Sequence, residues 1–333
     1  MECSVSYEKE RAVAVEAVRQ ACRLCQAVRA TLISDETMAK KDRSPVTVAD
    51  FGAQAVVVSI VLGAFAGQNI VGEEEATELR TEAGRSLKDK VVRAVRAVAP
   101  GLGEREVLAA IDHAIHPAGP TGRYWTLDPI DGTKGFLRGE QYAVALALIE
   151  EGRVVLGVLG CPNLPVVHTQ PDGPHGCLFV AVRGAGAVMC GLDEPAERPI
   201  AVSSVTEAAA ASFCESVESG HSAHDRAAVI ARQLGVSAPP VRMDSQCKYA
   251  AVARGDASVY LRLPTKSDYE EKIWDHAAGW IVVKEAGGQV TDVRGEPLDF
   301  SLGRTLRNNK GVVATNGRLH DQVIAAVREV LGV

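Results

Sequence analysis

The residues best suited to chemistry sit in one string, Leu127-Asp128-Pro129-Ile130-Asp131-Gly132-Thr133-Lys134-Gly135-Phe136. Two carboxylates three positions apart, with a proline between them and Gly-Thr behind, pack poorly but hold hard cations well. Tyr124, Trp125 and Leu127 form an apolar approach that reads as a buried strand. Asp-Pro and Asp-Gly are expected to stop that strand and turn the chain. Carboxylate oxygens at a strand end, plus a backbone carbonyl freed by the turn, suit Mg²⁺, which takes oxygen ligands and keeps several waters and substrate phosphate oxygens. Taken alone, the string also suits a surface turn with solvated aspartates.

Two further segments favour the cation reading. Val71-Gly72-Glu73-Glu74-Glu75 places acids just past another expected strand end, and Trp274-Asp275-His276-Ala277-Ala278-Gly279 puts an aspartate where a helix begins. Asp275 by itself reads as a helix N-cap. Acids from three separated segments, each at an element end, repel one another unless a cation joins them.

These strings resemble the lithium-sensitive, Mg²⁺-dependent phosphatase superfamily that includes inositol monophosphatase and fructose-1,6-bisphosphatase. Longer strings, SPVTVAD (44–50), DPIDGTKGFLRGEQYAVALALIEEG (128–152), GCPNLP (160–165), DSQCKY (244–249), YLRLP (260–264) and EKIWDHAAG (271–279), look like its 3′(2′),5′-bisphosphate nucleotidase branch. The resemblance runs from Tyr7 to the C-terminal helix. It implies an α/β fold of α+β type, a layered α-β-α-β-α sandwich. An antiparallel sheet would fill the N-terminal half, with a smaller α/β C-terminal half. It also implies hydrolysis of the 3′-phosphate of 3′-phosphoadenosine 5′-phosphate, and of 3′-phosphoadenylyl sulfate, with inhibition by Li⁺ or Na⁺. The implied role is in sulfur assimilation and nucleotide detoxification. An inositol polyphosphate 1-phosphatase or inositol monophosphatase shares the metal motif. A nucleotide sensor without turnover is the remote alternative, although every implied metal ligand is present.

By the same resemblance Glu73, Asp128, Asp131 and Asp275, with the Ile130 carbonyl, would hold two or three Mg²⁺ ions. The chemistry agrees: ions about 3.5–4 Å apart clamp both nucleophile and leaving group. Thr133 would polarise the attacking water, with Asp50 as its partner, because a threonine hydroxyl alone is a poor base. Read singly, Thr133 is also a turn hydroxyl and Asp50 a cap of the helix after it. Thr133, His221, Ser245, Lys248, Arg262 and Asp275 would bind the adenosine bisphosphate. Lys248 and Arg262, each a solvated surface charge when read alone, have the chemistry to hold a second phosphate. His224 reads equally as a helix cap. Aromatic residues make up 5% of the chain, so stacking on adenine rests on few rings.

Composition bounds the rest. A chain of 333 residues, 47% hydrophobic, buries a large core in one or two domains. A net charge of −6 argues against broad nucleic-acid binding, so a polyanion must be held at one local site. No apolar run reads as long enough to cross a bilayer. The start of the chain resembles neither a signal nor a transit peptide. The expectation is an intracellular, most simply cytoplasmic, monomer with a small-molecule nucleotide partner and no membrane partner. Eight scattered cysteines complete no zinc pattern and read as reduced, buried thiols, with a redox pair left open.

The elements that must position these residues follow from periodicity. Helices are expected over 6–32, 51–64 (capped by Asp50), 81–99, 105–115, 223–234, 274–285 and 320–330. Strands are expected over 68–71, 143–150, 154–160, 177–181, 200–203, 241–243, 257–261 and 312–314. The Pro- and charge-rich stretch 193–199 reads as the boundary between domains 1–198 and 199–333. Lys40-Lys41-Asp42 reads as a lid or a solvated loop.

Overall fold

The computed structural model describes residues 6–34, 44–218, 222–266 and 268–333. Cys3, the Lys40-Lys41-Asp42 segment and His221 lie outside them.

The chain opens with two packed helices, α1 (Glu8–Ser34) and α2 (Ser44–Ala64). Helix α1 buries the stripe Ala14, Ala17, Val18, Ala21, Leu24 and Cys25, as its periodicity predicts. Helix α2 is buried on nearly every side and starts well before Phe51, so Asp50 lies inside it rather than capping it. Its stretch Val46–Ala64 is, by length and composition, long and apolar enough to cross a membrane, contrary to the reading above. Of that stretch, 72% is buried within the protein, which makes it the core helix of the first layer.

Strand β1 (Asn69–Gly72) is followed by α3 (Arg85–Val98) and α4 (Glu104–His113). Next come β2 (Arg123–Asp131), the short α5 (Thr133–Arg138), β3 (Ala143–Glu150) and β4 (Arg153–Pro165). Strands β5 (His175–Val182), β6 (Gly186–Gly191) and β7 (Arg198–Pro199) finish a seven-stranded sheet in sequential order. The sheet is mixed, not purely antiparallel. Strand β1 pairs β2 in parallel, a pairing that needs the crossover α3 and α4 provide.

The second half carries β8 (Phe213–Glu215), α6 (His224–Gln233), β9 (Val241–Arg242), α7 (Cys247–Arg254) and β10 (Val259–Arg262). Then follow α8 (Ala277–Glu285), β11 (Gln289–Thr291), β12 (Val312–Thr315) and α9 (His320–Leu331). Its five-stranded sheet runs β11-β12-β10-β8-β9.

The layering follows from residues alternating across each strand. In the first sheet Trp125, Leu127, Leu146, Leu148, Val158 and Val180 face α1 and α2. Their neighbours Tyr124, Ala145, Ala147, Leu159 and Phe179 join α7, α8 and the second sheet in a middle core. On the second sheet Tyr260 and Ala314 face that core, whereas Val259, Leu261 and Val313 pack on α6 and α9. The result is α-β-α-β-α.

Two local expectations fail. Residues 200–203 form no strand, because Ile200 and Val202 donate singly to the Ala187 and Ala286 carbonyls and make no ladder. Helix α7 was hidden inside DSQCKY, where Gly255 caps it in the left-handed region. The seven described cysteines are free and buried.

Candidate active site

The acidic string folds as a bulge rather than a strand end. Asp128 faces Ala145 and Asp131 faces Ala143, so Pro129 and Ile130 oppose Val144 alone. Proline has no N–H to donate, and a bulge is where the ladder does without one. Gly132, at φ 90°, then turns the chain into α5, and a Cβ there would lie 2.9 Å from the Ser245 Cβ.

Ser245 holds φ 67°, a left-handed conformation unusual for a side-chain-bearing residue. Its hydroxyl accepts from the Cys247 N–H at 3.2 Å. The Gln246 N–H donates to Asp131 Oδ2 at 2.6 Å. The Gln246 side chain donates to the Trp274 carbonyl at 2.9 Å and accepts from the Gly279 N–H at 3.0 Å. One glutamine thus fastens the DPIDG bulge to the WDHAAG turn.

The third acidic segment is pinned from both sides. Arg304 donates to the Gly72 carbonyl at 2.7 Å and lies over the Trp274 ring. Gln54 donates to the Glu74 carbonyl at 2.6 Å and accepts its N–H at 3.1 Å.

Glu73, Asp128, Ile130, Asp131 and Asp275 line a single cleft of about 560 Å³. Their mutual repulsion is visible in their acidities. Burial, then Asp275, Glu74 and Asp131, push the Glu73 carboxyl up to about 8, although its surface opens to the cleft. Burial, then Glu73 and Asp131, raise Asp128 well above the usual carboxylate range. Asp275 is raised to about 6 by burial, with Arg262 opposing. Asp128 is 2% exposed and its Oδ1 is buried with no hydrogen-bond partner among the described residues. A buried, unpartnered carboxylate oxygen among three other acids is the arrangement a hard cation relieves.

Asp50 does not line this cleft. Its carboxyl is buried, and burial, then Glu74 and Glu73, raise its pKa. Helices α2 and α5 pack together, yet among the described residues no hydrogen bond joins Asp50 to Thr133. Thr133 itself, first residue of α5, lines the cleft with Lys134.

Ser245, Lys248 and Arg262 line the same cleft. Lys248 is 3% exposed, donates to the Met243 carbonyl at 3.2 Å and lies over the Tyr260 ring. Neither it nor Arg262 is a solvated surface charge. Arg262 also differs from a free fork awaiting phosphate: it pairs with Glu271 at 2.8 Å and with Asp275 at 3.4 Å. His224 bonds the Ser216 carbonyl at the start of α6. Sequence reasoning passed over Gln246, Glu271, His276 and Arg304. The first three stand inside the quoted strings DSQCKY and EKIWDHAAG, but nothing local marks their partners. Tyr269, 44% exposed, gives the cleft an open ring.

Residues 6–331 match the inositol monophosphatase family. The 3′(2′),5′-bisphosphate nucleotidase of Emericella nidulans is 47% identical, over 98% of this chain and 99% of that protein. Its counterpart from Oryza sativa is also 47% identical, over 98% and 95%. Among solved structures, inositol monophosphatase from Anabaena superposes with a TM-score of 0.61 at 22% identity, covering 98% of this chain and 97% of that one. Inositol monophosphatase II of Staphylococcus aureus gives 0.63 at 17%, covering 96% and 92%. These structures share the layered fold. The chain belongs to the inositol monophosphatase family and, within it, stands with the 3′(2′),5′-bisphosphate nucleotidases.

Proposed function

We propose that this chain hydrolyses the 3′-phosphate of 3′-phosphoadenosine 5′-phosphate, giving AMP and phosphate, and acts likewise on 3′-phosphoadenylyl sulfate. The observation that carries this reading is one cleft joining four acids to two buried cations, Lys248 and Arg262. The acids suit the reacting phosphate's counterions, and the cations suit a second phosphate that does not react. The full-length identity to proteins named 3′(2′),5′-bisphosphate nucleotidase supports the same choice.

Glu73, Asp128, Asp131, Asp275 and the Ile130 carbonyl would hold two or three Mg²⁺, for which the orphaned Asp128 oxygen and the crowded carboxylates are fit. When bound, Mg²⁺ supplies charge neutralisation on the phosphoryl oxygens and acidifies water. The Thr133 hydroxyl orients the attacking water, and Asp50, poised by burial beside Glu73 and Glu74, accepts its proton. The new bond forms between water oxygen and phosphorus, the bond to O3′ breaks, and O3′ leaves with a proton. Ser245, Lys248, Arg262 and His221 hold the nucleotide.

The test is phosphate release from 3′-phosphoadenosine 5′-phosphate, inositol 1-phosphate and inositol 1,4-bisphosphate, with Mg²⁺ and with chelator. The nucleotide should be turned over fastest, only with Mg²⁺, and LiCl should inhibit where KCl at equal ionic strength does not. Faster turnover of either inositol ester, or Mg²⁺-independent turnover, overturns the reading.

A further inference from the structure

Glu271, Asp275 and His276 offer ligand atoms within 4.8 Å of one another, a spacing that suits a cation. The cation already standing there is Arg262. Glu271 Oε2 accepts from Arg262 at 2.8 Å and faces His276 Nε2 at 3.1 Å. His276 Nδ1 in turn faces the Tyr249 hydroxyl at 2.8 Å. With His276 neutral, one proton arrangement satisfies every atom: the Tyr249 O–H donates to Nδ1, and Nε2–H donates to Glu271. Tyr249 and His276 are fully buried and Glu271 is 5% exposed. The Tyr249 ring stands edge-on to Tyr260 at 5.1 Å and is crowded by Gly279, where a Cβ would come within 2.3 Å of it. The chain of bonds therefore has a rigid origin in the middle core and ends on the guanidinium.

The same Arg262 nitrogen lies 3.4 Å from Asp275, a looser approach. Arg262 thus stands between two acids, one of which, on the reading above, must be free to hold a cation. We infer that Glu271, backed by His276 and Tyr249, is a positioning residue that holds Arg262 off Asp275 and directs it into the nucleotide cleft. Without the Glu271 charge, Asp275 is the acid left beside Arg262. The guanidinium would then settle on it, lowering its attraction for Mg²⁺ and withdrawing the fork from the spectator phosphate. The phosphate half of this inference rests on the proposed function; the Mg²⁺ half rests on the donor set alone.

The experiment measures Mg²⁺ binding to the full chain by calorimetry in wild type, Glu271→Gln, Arg262→Ala, the double variant and Tyr249→Phe. Alongside, kcat/KM is compared on 3′-phosphoadenosine 5′-phosphate and on adenosine 3′-phosphate, which lacks the second phosphate. Glu271→Gln should weaken Mg²⁺ by about tenfold, and the double variant should bind Mg²⁺ within about twofold of Arg262→Ala, because the competing cation is gone. Glu271→Gln should also lower the ratio of bisphosphate to monophosphate kcat/KM about tenfold, chiefly through KM. Tyr249→Phe, remote from the cleft, should shift both readouts the same way by about two- to threefold, and it carries the test if Glu271→Gln does not fold. Equal weakening of Mg²⁺ by Glu271→Gln with and without Arg262, or a Tyr249→Phe protein unchanged in both readouts, overturns the inference. A wild type inactive on the bisphosphate but showing the predicted Mg²⁺ pattern sinks the substrate reading and leaves the positioning of Arg262 supported.

Discussion

At the scale of single residues, the candidate site is a balance of like charges. Asp128 is the most enclosed of the four acids, with one oxygen orphaned and three carboxylates nearby. Removing its charge takes a ligand from the cation and relieves repulsion in the unloaded protein. Asp128→Asn should therefore lower kcat at saturating Mg²⁺ by about a hundredfold or more, since charge neutralisation there is worth several kcal/mol. Its melting temperature in chelator should equal or exceed that of wild type; a large drop would mean Asp128 is structural. Lys248 acts on the other side of the chemistry. It is buried beside Tyr260 and feels Asp131. Lys248→Ala should lower kcat/KM on the bisphosphate about ten- to a hundredfold, the value of a charge-assisted phosphate contact, and much less on adenosine 3′-phosphate. Equal losses on both esters would assign Lys248 to the fold.

At the scale of elements, the site depends on how α8 sits on the first sheet, because Asp275 lies at the turn that starts α8. Gly157 on β4 is the seat. A Cβ there would meet Ile281 Cγ2 at 2.4 Å and the Ala278 carbonyl at 3.0 Å. Gly157→Ala must lift α8 off the strand, which should cost about 1–3 kcal/mol in urea unfolding. Because the lift moves Asp275 away from the bulge, Mg²⁺ affinity should fall with it; a destabilised variant with wild-type Mg²⁺ affinity would show that α8 yields without carrying the turn. Periodicity announced α8, β3, β4 and β12 because each has a sustained apolar pattern. It did not announce α7, β8 or β11, which are short and take their identity from neighbours.

At the scale of the molecule, the three cores stack through both sheets, and the middle one draws side chains from both halves. We propose 198/199 as the division between domains, with the stretch 193–199 as a link over a shared core. The C-terminal layer supplies a pH-dependent share of stability. His320 is buried between the Thr291 and Thr315 hydroxyls, each 3.0 Å away. Burial lowers its pKa from 6.5 to about 4, with Asp321 opposing and Lys284 adding to the fall. Below pH 6.5 the unfolded chain takes up a proton that the folded chain refuses until about pH 4. Stability from neutral His320 is thus full above 6.5 and is lost as pH falls, by about 1.4 kcal/mol per pH unit across that window. His320→Gln should narrow the stability gap to wild type as pH goes from about 7 to about 4. A gap independent of pH would show that His320 is not the titrating group.

The sequence by itself determined the layered class, the acids that meet in the cleft and the phosphatase chemistry they suit. The physical reason is locality. Ligands on one bulge are three residues apart, and alternation along a strand states which face each side chain takes. What the tertiary structure alone decided is partnership. Gln246 meets Asp131 across 115 positions and Arg304 meets the Gly72 carbonyl across 232. Arg262 looked like an open phosphate fork until Glu271 was seen beside it. Periodicity gives the direction a residue faces, but which residue stands opposite depends on the packing of layers, and no local pattern records that.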